Sequence, residues 1–157
     1  MGEHARILVV DDDESIRKTL ATILEEKGFL VDTAENGKEA MRKSKARFYN
    51  LALIDIRLPD MEGTELLSAM KETTPRMVKI IITGYPSLQN AIEAVNKGAD
   101  AYILKPFNVE SVLNTIKEHL KKQQEAKKYS EEKVAEFIET RVREIEEDKI
   151  LCHKKAN

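Results

Sequence analysis

Four short apolar runs in this chain each end on a reactive polar residue. Ile7, Leu8, Val9 and Val10 lead into Asp11, Asp12 and Asp13, and Leu51, Ala52, Leu53 and Ile54 lead into Asp55. Lys79, Ile80, Ile81 and Ile82 lead into Thr83 and Gly84, and Ala101, Tyr102, Ile103 and Leu104 into Lys105 and Pro106. Continuous apolar runs of this length, rich in β-branched residues, read as buried strands of a parallel sheet. Parallel strands share one direction, so their C-terminal ends lie along one edge, where open α/β sheets bind ligands. Carboxylates, a hydroxyl and an ammonium gather there, a set that suits a divalent metal and a phosphoryl group.

Between the runs the sequence alternates strand and helix five times. A first strand over Arg6–Val10 precedes a helix over 14–27, with Ile16, Leu20, Ile23 and Leu24 on one face and Gly28 as its stop. A second strand over Leu30–Ala34 turns through Asn36 and Gly37 into a second helix. The third strand, 51–54, leads through Arg57, Leu58, Pro59, Asp60, Met61, Glu62 and Gly63 to a helix over 64–73 that ends before Pro75. The fourth strand is 78–82. The helix after it is capped by Ser87, carries Leu88, Ala91, Ile92 and Val95, and stops at Gly98. A fifth strand over Ala101–Leu104 precedes a helix that starts near Asn108, with Val109, Val112, Leu113, Ile116 and Leu120 on its inner face. Such alternation predicts a parallel sheet with helices on both faces.

From about residue 121 the pattern changes, with no strand signal, no proline and no glycine. Ser130, followed by Glu131 and Glu132, reads as a helix N-cap with acids in the first turn. Val134, Ile138, Val142 and Ile145 recur at helical spacing beside Phe137, and Glu139 and Arg143 form a favourable i, i+4 pair. A helix of about 20 residues, ~30 Å long, is expected, either continuing the fifth helix or set off by a bend near Tyr129 and Ser130. The division is therefore 1–124 and 125–157. The stripe has two readings: a helix that packs on its own domain or stays solvated, or a coiled coil that joins two copies into a homodimer.

At 157 residues the chain can bury roughly 70% of its unfolded surface, enough for one domain and a small extra element. A net charge of −2 and tail charges that alternate in sign give no basic face for nucleic acid, so no direct nucleic-acid binding is expected. Cys152 is the single cysteine and cannot form an internal disulfide. No apolar stretch approaches the ~18–20 residues of a membrane span, and a cytoplasmic chain with no membrane partner is the expectation. His4, His119 and His153 are isolated and read as surface or tail residues.

The acidic cluster, Asp55, Thr83 with Gly84, Lys105 with Pro106, the loop residues Pro59 and Gly63, and the run from Lys97 to Tyr102 occur in an order and spacing that resembles the receiver domain of two-component response regulators. The resemblance covers roughly residues 5–120. It implies a flavodoxin-like doubly wound (βα)5 fold with a five-stranded parallel sheet in the order 2-1-3-4-5, here with a C-terminal helical extension. Carboxylates ~4 Å apart repel by about 4 kcal/mol at an effective dielectric near 20, so three at one edge call for a cation. All-oxygen donors without His or Cys favour Mg²⁺. The resemblance implies Asp12, Asp55 and the backbone carbonyl of Arg57 as direct ligands, with Asp11 acting mostly through water. It implies Asp55 as the phosphoryl acceptor, Lys105 and Thr83 as phosphate partners, and a cis peptide before Pro106. Gly84 is expected to leave room at the site.

The same resemblance implies a switch: Thr83 moves to the phosphoryl group and Tyr102 turns into the space left, changing the face of helix 4, strand 5 and helix 5. The alternative for Tyr102 is a plain core aromatic. Arg57 and Tyr85 stand at the family's variable positions, where their bulk is expected to hinder attacking water. The implied partners are a sensor histidine kinase and a downstream protein, and the implied chemistry is self-phosphorylation and slow self-dephosphorylation rather than enzymatic turnover. Asp13 reads as a helix cap. Two further classes are weighed. One is a haloacid-dehalogenase-like phosphatase read from Asp11-x-Asp13-x-Ser15, which leaves Asp55 unexplained. The other is the receiver fragment of a larger DNA-binding transcription regulator.

Overall fold

A computed structural model of the chain describes residues 4–74 and 76–156, with side chains described as far as Cys152. Pro75 and the side chain of His153 lie outside the described residues. Five strands, β1 (Arg6–Val10), β2 (Leu30–Ala34), β3 (Leu51–Asp55), β4 (Val78–Thr83) and β5 (Ala101–Leu104), form one sheet. They alternate with α1 (Glu14–Glu26), α2 (Gly37–Ala46), α3 (Gly63–Thr73), α4 (Leu88–Asn96) and α5 (Val109–Ala156). The strand order is β2-β1-β3-β4-β5, as the resemblance implies, and every pairing is parallel, as the alternation of strand and helix predicts.

The central strands explain the apolar runs. All residues of β3 and β4 are buried, and their side chains alternate between two cores. Ala52, Ile54 and Ile81 join Leu66, Leu67 and Met70 on one face. Leu51, Leu53 and Ile80 join Leu20, Leu24 and Ile116 on the other. Each fully buried Leu or Ile contributes about 1.5–3 kcal/mol through its removal from water, so the strand ends stand on a stiff platform.

Local signals fix where the helices begin and end. The carboxylate of Asp13 accepts the Ile16 N–H (3.2 Å), Asn36 accepts that of Glu39 (2.8 Å), and Ser87 that of Asn90 (3.0 Å). Each removes an orphan donor from a first turn. After α1 and α4 the chain reverses through Gly28 (φ +93°) and Gly98 (φ +102°), a left-handed conformation that a side chain would strain.

The large apolar residues of α4 face outward: Leu88, Ile92 and Val95 are 79%, 52% and 64% exposed, and Ala94 is the buried residue of the helix. Ala94 joins the cluster beneath, with Ala99 and Tyr102 partly buried against it. Ser130 is not a cap but lies inside α5, which runs 48 residues without a break. No proline or glycine occurs in that span to interrupt the ladder, and a competent N-cap residue in mid-sequence does not end a helix.

The residues up to Leu120 form one compact unit and those from Lys121 a second. In the second, Val134, Phe137, Ile138, Val142 and Ile145 are all exposed. Arg143 pairs with Glu139 at 3.1 Å, the i, i+4 bridge read from the sequence. No described helix is long and apolar enough to cross a membrane.

Candidate functional site

The C-terminal ends of β1, β3, β4 and β5 bring their polar residues together. Ligand atoms of Asp11, Asp12 and Asp55 lie within 4.8 Å of one another. Asp11 and Asp55 are buried, and Asp12 is exposed. Lys105 reaches between the two buried acids, its ammonium donating to Asp11 Oδ2 at 2.7 Å and Asp55 Oδ2 at 3.2 Å. Three carboxylates face one ammonium, so two negative charges stay uncompensated among these four side chains.

The oxygens differ in how far they are engaged. Asp11 Oδ1 accepts the Asp13 N–H at 2.9 Å while its Oδ2 holds Lys105, so both are committed. Asp55 Oδ1 accepts the Arg57 N–H at a longer 3.3 Å. Burial, and next the charge of Asp11, push the Asp55 carboxyl above its ordinary range, against the pull of Lys105. For Lys105 burial works the other way, but its bonds to Asp11 and Asp55 outweigh it and hold the ammonium above its usual value.

An oxygen-only donor set carrying two spare negative charges fits a hard divalent cation such as Mg²⁺. Asp12 and Asp55 hold the freer oxygens of the three carboxylates, in line with their implied role as direct ligands.

Thr83 is fully buried at the end of β4, and its hydroxyl accepts the Tyr85 N–H at 3.0 Å. The Lys105 N–H donates to the Thr83 carbonyl at 2.7 Å, which ties the two strand ends together. The Lys105–Pro106 peptide is cis. A Cβ added at Gly84 would meet the Lys105 side chain at 3.7 Å, an ordinary contact, so this glycine is not what makes room here.

A comparison with family models matches residues 7–117 to the response regulator receiver domain. The chain belongs to the response regulator receiver family. Its receiver resembles a CheY-like response regulator receiver domain protein of Methanospirillum hungatei JF-1, at 48% identity and a TM-score of 0.78 over 79% of this chain and 99% of the other. It also resembles the beryllofluoride-activated NtrC4 receiver domain dimer, at 42% identity and a TM-score of 0.72, over 75% and 98%. Among curated relatives, the transcriptional regulatory protein ZraR of Klebsiella oxytoca is 38% identical over 119 residues, which is 76% of this chain and 27% of ZraR. The chain thus spans about a quarter of the length of that relative.

Of the residues singled out in the sequence, the strand ends bring Asp11, Asp12, Asp55, Thr83 and Lys105 to this edge. Asp13 differs in chemistry: its carboxylate is occupied with α1, which removes the second aspartate from the phosphatase-like reading. Tyr102 lies on β5, partly buried against the core on the α3 and α4 face. Its hydroxyl is buried and, among the described residues, finds no hydrogen-bond partner.

Three features escaped the sequence. The Arg57 guanidinium stacks over the Tyr85 ring at 4.0 Å from its centroid, joining the loops after β3 and β4. Gly63 is pressed against the backbone of Asp55 and Ile56. Asp60 bonds to the start of α2. None has a local signal, because each joins residues that come together only in the folded chain.

Proposed function

We propose that this receiver is a phosphorylation-dependent switch whose acceptor is Asp55. The observation that carries the reading is the buried Asp55 carboxylate held beside Asp11 and within 3.2 Å of the Lys105 ammonium, with the exposed Asp12 completing an acidic cluster. A carboxylate is a competent nucleophile toward phosphorus, and phosphoryl transfer depends mainly on positioning and charge stabilisation. An Asp55 oxygen attacks the phosphorus of a phosphohistidine on a sensor kinase. The new P–O bond forms as the P–N bond breaks, and the departing imidazole takes a proton from solvent. Asp12, Asp55 and the Arg57 carbonyl, with Asp11 behind, would hold Mg²⁺, which would supply charge neutralisation for the phosphoryl oxygens. Lys105 neutralises another of them, and the Thr83 hydroxyl exchanges its bond from the Tyr85 N–H for one that it donates to phosphate. A cytoplasmic location, slow self-dephosphorylation in place of turnover, and a protein target downstream go with this reading.

The test is incubation with Mg²⁺ and acetyl phosphate, read by intact mass. Wild type should gain one base-labile phosphoryl group, and Asp55→Asn none. Equal labelling of both proteins, or labelling of neither, would sink the assignment.

The side chains around the acceptor make their own demands. In this reading the Arg57–Tyr85 stack, which joins the loops that follow the strands bearing Asp55 and Thr83, narrows the approach of water to the acceptor. Arg57→Asn combined with Tyr85→Ala should hasten loss of the phosphoryl group roughly three- to tenfold, equivalent to about 0.7–1.4 kcal/mol on the barrier. A lifetime measured by quench and mass that stays the same would refute this role. The Tyr102 hydroxyl is buried with no partner among the described residues, and a buried hydroxyl left unpaired costs about 1–3 kcal/mol. Tyr102→Phe should therefore raise the stability of the unphosphorylated receiver by about 1 kcal/mol in urea unfolding. A loss of stability would show that the hydroxyl is satisfied and not a store of bias.

A second reading is that the sequence is the receiver part of a larger transcription regulator. It is favoured by the match to 27% of ZraR, named a transcriptional regulatory protein. The length of the native gene decides it. The switch chemistry is common to both readings.

A further inference from the structure

The loop between β3 and α3 carries Arg57, and it is held partly by its own contacts. The Leu58 N–H donates to the Met61 carbonyl at 3.2 Å, and Arg57 and Glu62 face each other as an antiparallel bridge. Besides the Arg57 stack on Tyr85, a hydrogen-bonded attachment reaches outside. Asp60 Oδ1 accepts the Gly37 N–H at 2.8 Å, and Oδ2 accepts the Lys38 N–H at 2.9 Å. These are the first two donors of α2, which have no partner within the helix. Asn36 takes the Glu39 N–H, so the N-terminus is capped by two side chains, one local and one supplied from the loop. The hydrogen bonds from the Gly37 and Lys38 amides hold the Asp60 carboxyl below its ordinary range, so it is ionised at neutral pH. The next residue adds a second contact: the Met61 side chain lies against Gly37, filling the place where a Cβ would stand. α2 contributes no residue to the acidic cluster, yet it bears the far side of the loop that leads on from Asp55 and carries Arg57.

We infer that Asp60 is a positioning residue: its bidentate bond to the start of α2 fixes the β3–α3 loop so that the Arg57 carbonyl is pre-set to take a divalent cation beside Asp12 and Asp55. The inference rests on the cation-dependent reading of Asp55 given above. Its physical basis is that groups behind a metal's ligands set ligand orientation, and their loss commonly lowers metal affinity about 10–100-fold. Two charge-assisted bonds at 2.8 and 2.9 Å to a helix terminus remove rocking freedom from the loop. The loop then need not be ordered at the moment of binding.

The test compares Asp60→Ala, Asp60→Asn and Asn36→Ala with wild type. Asn36→Ala removes the local half of the same cap and leaves the loop's attachment in place. Two quantities are read: the Mg²⁺ dissociation constant by calorimetry, and the hydrogen-exchange protection of the Arg57 and Gly63 amides without metal. Asp60→Ala should weaken Mg²⁺ binding about tenfold and lower protection at both amides. Asp60→Asn should fall between, since it keeps one acceptor but turns an NH₂ group toward a donor. Asn36→Ala should lower the melting temperature, with Mg²⁺ affinity within about twofold of wild type and loop protection unchanged. Unchanged affinity in Asp60→Ala, or an equal loss in Asn36→Ala, would overturn the inference and leave Asp60 as a helix cap only. If wild type itself takes up no Mg²⁺, it is the cation-dependent reading that fails, and unchanged loop protection in Asp60→Ala then overturns the latch separately.

Discussion

Replacing Asp55 by Asn is expected to abolish phosphorylation and at the same time to make the metal-free receiver more stable. The carboxyl is pushed above its ordinary value of 3.8 by burial and by Asp11. A carboxyl with a raised native pKa favours folding in its protonated form. Its contribution is complete below the unfolded value near 3.8 and is lost as pH climbs through the higher native one. At neutral pH the ionised side chain is therefore a burden on the fold. The amide removes that charge at similar volume, and Lys105 keeps its shorter 2.7 Å bond to Asp11. A gain of roughly 1 kcal/mol, or about 2–5 °C in melting temperature, is expected. The decline of wild-type stability between pH ~4 and neutrality should flatten in the variant. Saturating Mg²⁺ should raise the melting temperature of wild type and do much less for Asp55→Asn. A variant that melts lower than wild type at every pH would show that the carboxylate is fully compensated in the unliganded protein.

Gly63→Ala is expected to damage fold and site together. A Cβ at this position would overlap the Asp55 carbonyl oxygen and stand 2.8 Å from the Ile56 Cα. Both are backbone atoms of a buried strand end, so no rotamer change can relieve the clash. The Gly63 N–H donates to the Ile56 carbonyl at 2.6 Å, and any retreat of the helix start weakens that bond too. Overpacking of this kind costs about 1–3 kcal/mol, and the lost bond adds about 1 kcal/mol. One of these atoms, the Asp55 carbonyl oxygen, belongs to the residue proposed as the phosphoryl acceptor. Slower labelling by acetyl phosphate should accompany the loss measured in urea unfolding. Wild-type stability in the Gly63→Ala variant would mean that the α3 start slides aside freely, and labelling would then also be normal.

The parallel sheet and the residues along its edge are legible in the sequence because β1, β3, β4 and β5 are apolar runs that give way to a polar residue, as at Ile54 and Asp55, whereas the strand order follows from the family resemblance. Periodicity is a local signal and survives without knowledge of neighbours. It misleads for α4, where Leu88, Ile92 and Val95 keep the spacing of a buried stripe yet face outward, because spacing says that a face is apolar but not what it meets. Ser130 misleads for a related reason: capping residues mark a terminus only where the chain has cause to stop. The Asp60 bond to α2 and the Arg57 stack on Tyr85 span 23 and 28 residues and depend on loop conformation, which composition does not encode. The stranded Tyr102 hydroxyl is likewise a property of the packed interior and not of the strand that bears it.

The shallow seat of α4 bears on how such a molecule can respond at all. With a single small side chain, Ala94, sunk beneath it, this helix can slide or tilt by an ångström and open almost no void. β4, its neighbour in sequence, is interred along its whole length and cannot follow. The architecture thus sets a lightly seated helix beside an anchored frame, and in the proposed switch a small pull at Thr83 would be spent on moving that helix without deforming the frame.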